Sequence, residues 1–188
     1  MPTEGYLVIA IIAFTAFYFV VPLVVGAYVR YRGARVVICP ETREPAGVNV
    51  DAGHAAATAS FGVPELRLKS CSRWPERAGC GQECLLQIEI SPEDCLVRNM
   101  LKSWYADKTC VLCGKPFGDI HLTDHKPALM NAEGLTIEWR DVHPELLPKM
   151  LATHKPVCWD CHNMQTLIRE HPGLVFERPP REVHLANK

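Results

Sequence analysis

The sequence lacks the signatures of the common enzyme classes. It has no G-x-S-x-G turn, no phosphate-binding glycine loop, no H-E-x-x-H and no dinucleotide fingerprint, so none of the chemistries those motifs carry is signalled. It also lacks net charge: the formal value is −1 at pH 7, and its basic residues form no long run. Bulk electrostatics therefore give no case for nucleic acid as a partner. Between Tyr6 and Val29 there is not one charged residue. Lys and Arg are missing before that stretch too, where the chain reads MPTEG. A secretory signal peptide normally opens on basic residues and has a shorter apolar run. Val25-Gly26-Ala27 is a poor cleavage site, so the segment reads as an anchor.

What that stretch does contain is a continuous apolar run from Leu7 to Val29. As a helix it would be roughly 35 Å long, against a hydrocarbon core of about 30 Å, so it spans a bilayer with slight tilt. Tyr6 and Tyr28 fall near its ends, where amphipathic aromatics prefer the interface. Pro22 is expected to kink the helix or loosen one turn. No ionisable side chain lies inside, so the span forms no transport path alone. Arg30, Arg32 and Arg35 follow at once, and the positive-inside rule places the rest of the chain in the cytoplasm.

That placement bears on the nine cysteines. In a reducing compartment they are read as thiols, thiolates or metal ligands rather than disulfides. The overall expectation is an α+β chain. Residues 1–30 form a transmembrane anchor and 31–70 a short β-rich connector. Residues 71–177 form a cysteine-rich metal-binding domain, and 178–188 an extended tail.

Local patterns fill in this outline. Val36–Cys39 reads as a strand stopped by Pro40, and Gly47–Val50 as its return. Asp51–Ser60 is alanine-rich and reads either as a short helix or as a loose connector. Glu65–Lys69 alternates like a strand leading into Cys71. Ser91-Pro92-Glu93-Asp94 has the composition of a helix start. Leu96, Met100, Leu101 and Trp104 then form an apolar stripe, which places Cys95 on that helix. Leu135–Arg140 resembles a strand, while Pro144–Leu151 and Cys161–His171 suit helices.

The sharpest motif is Cys110-Val-Leu-Cys113-Gly-Lys-Pro-Phe117. Two thiolates separated by two residues can hold one ion from a tight turn. Gly114 lets the backbone fold so that amides face the sulfurs. A second pair, Cys158-Trp-Asp-Cys161, follows after 44 intervening residues. Together the pairs offer four soft ligands, the set expected for tetrahedral zinc. These stretches resemble the knuckles of zinc-ribbon and treble-clef zinc fingers, the second pair lying at a helix start as in treble clefs. The resemblance spans Cys110 to about His171. It implies a structural zinc on Cys110, Cys113, Cys158 and Cys161 and no particular activity.

Two further sets compete for attention. Cys158-Trp-Asp-Cys161-His162 also matches C-x-x-C-H, the attachment motif of haem c with His162 as axial ligand. That reading conflicts with a cytoplasmic location and strands Cys110 and Cys113. Cys71, Cys80, Cys84 and Cys95 have 8, 3 and 10 intervening residues. They could hold a second zinc or an iron–sulfur cluster, Gly79 and Gly81 freeing the backbone beside Cys80. Cys39 is either a free buried thiol or the replacement for Cys95 in that set. His121, Asp124 and His125 lie close together and could form a hydrolytic or general-base site, though polar loops often carry such residues without catalysis.

The function expected from these residues is a non-enzymatic, membrane-anchored zinc module. It would serve as an accessory or assembly subunit that contacts lipid and other subunits of a membrane complex, with no nucleic acid. The alternative is an electron-transfer subunit carrying haem c or an iron–sulfur cluster. A thiol oxidoreductase ranks last, for want of the βαβ context that C-x-x-C chemistry uses.

Overall fold

The computed structural model describes residues 2–118, 120 and 127–174. It is an α+β structure with two small antiparallel sheets. A long helix opens it in three pieces: α1 (Pro2–Thr15), a π-helical turn (Ala16–Val20) and α2 (Val21–Tyr31). The π turn lies just before Pro22, and the Val21 N–H reaches back five residues to the Ala16 carbonyl. The loosened turn expected from the proline is therefore present, ending two positions upstream of it. Gly5–Tyr31 is long and apolar enough to cross a membrane.

The helix does not end in a loose linker. Ala27 and Tyr31 are buried in the core of the following domain, and α2 packs on α3 (Ala52–Ala59). The first sheet pairs β1 (Ala34–Ile38), β2 (Pro45–Val50) and β3 (Leu68–Cys71) in that order. Helix α3 settles the ambiguity at Asp51–Ser60: the Asp51 carboxylate accepts the His54 N–H at 3.0 Å as its cap. Ala55 and Ala59 face the core because small side chains let α3 approach α2 closely.

Strand β1 is buried on both faces. Val37 joins the core beneath the anchor, and Val36 joins a second cluster with Leu101, Tyr105, Leu129 and Leu147. This second cluster forms under α5 (Val97–Tyr105) and the second sheet, ordered β5 (Thr136–Glu138), β4 (Ala128–Met130), β6 (Lys155–Val157). Gly47 on β2 passes so close to Pro144 and Glu145 that an added Cβ would lie 2.9 Å from the proline ring and 2.7 Å from the carboxylate. The two halves are thereby keyed together.

One local expectation fails. Ser91-Pro92-Glu93-Asp94 does not start a helix; α4 (Leu85–Ile90) ends there, and α5 begins only at Val97. Tertiary pairing overrides the capping signal. The Val36 N–H donates to the Cys95 carbonyl at 2.9 Å, and Arg35 bridges Leu96, so Leu96 is held extended against β1. Cys95 therefore precedes the helix instead of riding on it. The chain continues through α6 (Leu147–Thr153) into β6 and α7 (Trp159–Glu170).

Candidate metal centre

The knuckle is built by backbone bonds. Thr109 and Pro116 form a bridge, the Cys110 N–H donates to the Lys115 carbonyl at 2.9 Å, and the Gly114 N–H returns to the Cys110 carbonyl at 2.8 Å. Gly114 sits at φ +72°, a conformation that costs a side-chain-bearing residue energy. The knuckle docks on the second sheet through the Val111 N–H to the Pro156 carbonyl, 3.0 Å. The second pair sits where β6 turns into α7: Cys158 is the N-cap residue and Cys161 lies in the first turn.

These elements bring four sulfurs together. The Sγ atoms of Cys110, Cys113, Cys158 and Cys161 all lie within 4.8 Å of one another, and Cys113 and Cys158 are 3.7 Å apart. All nine cysteines are free thiols. Cys110 is buried whereas Cys113 is exposed, so the cluster is shielded on the protein side and reachable from solvent.

The electrostatics suit a cation. Burial disfavours the Cys110 thiolate, but the N–H groups of Cys158, Cys113 and Leu112 outweigh it and bring this thiol down to about 6. The Cys158 N–H alone lies 3.3 Å from the sulfur. Cys158 is pushed up by burial, with the sulfurs of Cys110 and Cys113 adding to it. Cys161 is pushed up further, by burial first and then by the other three sulfurs. Four thiolates cannot ionise at such distances without a positive charge among them. A divalent metal supplies that charge and deprotonates its ligands outright.

His162 takes a different role from a haem ligand. It is buried, its Nδ1 bonds the Thr136 hydroxyl at 2.8 Å, and its Nε2 lies 3.9 Å from Glu138. The residue clamps α7 to β5. Tyr105 performs a similar task from α5: its hydroxyl donates to the Ala128 carbonyl at 2.8 Å, and its ring packs on Phe117 behind the knuckle. Neither role is visible in motif spacing, because each depends on a partner from another element.

The other candidate residues scatter differently. Cys71, Cys80 and Cys84 line one cavity together with Cys39, and Cys95 is not among its lining residues. The Cys95 sulfur lies instead 3.8 Å from the Gln87 carbonyl. His121, Asp124 and His125, and the tail from Arg178, lie outside the described residues.

Taken together, the fold and the site define an α+β protein with one membrane-length apolar helix and a four-cysteine cluster at metal-binding distance. No protein-family profile matches the chain, and no curated protein or solved structure gives a significant match.

Proposed function

We propose that this chain is a membrane-anchored zinc module that binds protein partners at the cytoplasmic membrane face, as an accessory or assembly subunit without catalysis of its own. The observation that carries the reading is the convergence of four thiol ligands from two distant turns. Four cysteine ligands fill a tetrahedral zinc completely and leave no position for substrate, the arrangement of structural sites. A knuckle, a small sheet and a helix that begins at the second pair support a treble-clef-like arrangement around that ion.

Exposed apolar side chains support the binding role. Met164, Leu167 and Ile168 are solvent-facing on α7, as are Val111 and Leu112 on the knuckle. The three on α7 have the spacing of one helical face, and contiguous exposed apolar groups mark interaction surfaces. The burial of Ala27 and Tyr31 supports an anchor over a cleaved leader, since cutting after Ala27 would remove a core residue. Arg30 and Arg32, both exposed on the domain's side of the span, support a cytoplasmic domain.

The test uses the full chain in mild detergent. Metal analysis with an absorption spectrum should find zinc and no visible chromophore, and Cys113→Ser should lose the zinc of this cluster and unfold the second sheet and α7 around it. Haem or iron in the native protein, or a C113S variant that stays folded but loses a redox activity, would overturn the zinc reading. Orientation is tested separately, by fusing a fluorescent protein that matures only in the cytoplasm after residue 174. Partner binding is tested by a photo-crosslinker at Leu167 in native membranes, where adducts to lipid alone would count against a protein partner.

A further inference from the structure

The first sheet carries a second set of cysteines that no zinc-ribbon spacing describes. Cys39, Cys71, Cys80 and Cys84 line a cavity of about 100 Å³. They come from four separate places. Cys39 follows β1, Cys71 ends β3, Cys80 sits in the loop beyond it, and Cys84 is the residue at the start of α4. Their intervening lengths of 31, 8 and 3 residues place the whole of β2 and α3 between the first and second.

One of the four already receives the bond a thiolate uses: the Arg73 N–H points at the Cys71 sulfur from 3.4 Å. Cys39 opens a tightly closed turn. The Arg43 N–H meets the Cys39 carbonyl at 2.7 Å, and the Cys39 N–H meets the Glu44 carbonyl at 2.9 Å. Backbone N–H groups aimed at sulfur are also how the first site holds Cys110. Cys84 stands at the buried side of the cavity. It is the one buried cysteine of the four, and the other three line the same cavity.

The rest of the lining fits a thiolate-bound cation. Four thiolates on a divalent ion leave a charge of −2, and Arg73 and Arg77 line the same cavity, paired with Glu44 and Glu41. Among the described residues only the first site gathers its sulfurs within 4.8 Å of one another, so these four ring the cavity without closing it. The segment that would close it is the run between β3 and α4, which contains only turns and holds Cys80. Connections of that length without regular structure are uncommon unless something fixes them.

We propose that Cys39, Cys71, Cys80 and Cys84 form a second, independent structural zinc site that fastens the loop between β3 and α4 to the end of the first sheet. Soft thiolates select zinc over harder divalent ions, and the lining carboxylates Glu41 and Glu83 are surplus to a four-sulfur set. Binding displaces the thiol protons to solvent as the four sulfurs coordinate. Cys95 takes no part.

Zinc is counted in the full-length protein purified in mild detergent. About two ions per chain are expected, as two closed four-cysteine sites require. Cys113→Ser should remove about one of these by emptying the first site, and Cys39→Ser should remove the other. Cys95→Ser should retain both. A C39S variant with wild-type zinc, a C95S variant that loses an ion, or iron in place of the second zinc overturns the assignment. Alkylation of the wild-type protein decides the matter even if C39S does not fold. The four cysteines should be protected together and become reactive together when a chelator is added. Labelling of any one of them in metal-loaded protein sinks the proposal. C113S and C39S report on different ions, so failure here leaves the reading of the first site intact.

Discussion

The guanidinium of Arg35 folds back to donate to the carbonyl of Tyr31, 3.1 Å away and four residues up the chain. The same group reaches the carbonyls of Arg30 and Gly33. A helix leaves its last carbonyls without partners, and here a downstream arginine supplies them where the anchor enters the domain. Arg35 is fully buried. It is therefore not one of the solvated cations flanking the span, a role left to Arg30 and Arg32.

Removing this group should loosen the junction. Arg35→Ala is expected to cost about 2–3 kcal/mol, because buried carbonyls lose charged hydrogen bonds. Arg35→Lys should recover only part, since an ammonium cannot match a planar fork. Thermal unfolding of the full chain in detergent measures both, and an R35A variant as stable as wild type would remove the capping role.

His162 gives a second prediction. His162→Ala should destabilise by about 1–3 kcal/mol, leaving the buried Thr136 hydroxyl without its partner. Thr136→Val should cost a similar amount, and the double variant should cost less than the sum. A double-mutant cycle that adds without coupling would show that the 2.8 Å contact contributes nothing.

Metal affinity at the first site should fall with pH, because every ligand must give up its proton. Cys158 and Cys161 are held up, so they lose protons only as the ion arrives. Cys110, at about 6, is already ionised at neutral pH. Below that pH it binds a proton in the metal-free protein, and the ion must then displace one more. The slope of log affinity against pH should therefore steepen as pH drops through about 6. Zinc competition titrations in C39S protein isolate this site, and a constant slope across that range would contradict the assigned role of Cys110.

Gly47 predicts a packing defect instead of a chemical one. Gly47→Val would drive a side chain into Pro144, and overpacking of this kind costs about 1–3 kcal/mol. Gly47→Ala should be the smaller change but still destabilise, since its Cβ meets the Pro144 ring at 2.9 Å and only the Glu145 carboxylate can swing aside. If both variants unfold at the wild-type temperature, the two halves are not keyed at this point.

Much of this was legible in the sequence where a signal is local. The apolar run, its proline-loosened turn and the two C-x-x-C pairs each depend on residues within a few positions of one another. The strands β4 and β6 were not legible, because three residues such as Ala128–Met130 carry too short a period to read. The delayed start of α5 was hidden for a different reason: the extended pairing of Leu96 with Arg35 overrode a good cap. Cys39 illustrates the same limit. The other three cysteines of its cavity are 32 or more positions away in sequence, and the sheet relates them to it only with β2 lying between β1 and β3.

The anchor helix reaches its last turn already wedged among the alanines of α3, with no glycine- or serine-rich stretch between lipid and protein. Such a junction behaves as a mast, not a tether. On the proposed membrane-anchored reading, the exposed face of α7 is carried at a set height above the headgroups. A partner that meets it would then present a surface at that level, as embedded or membrane-hugging proteins do.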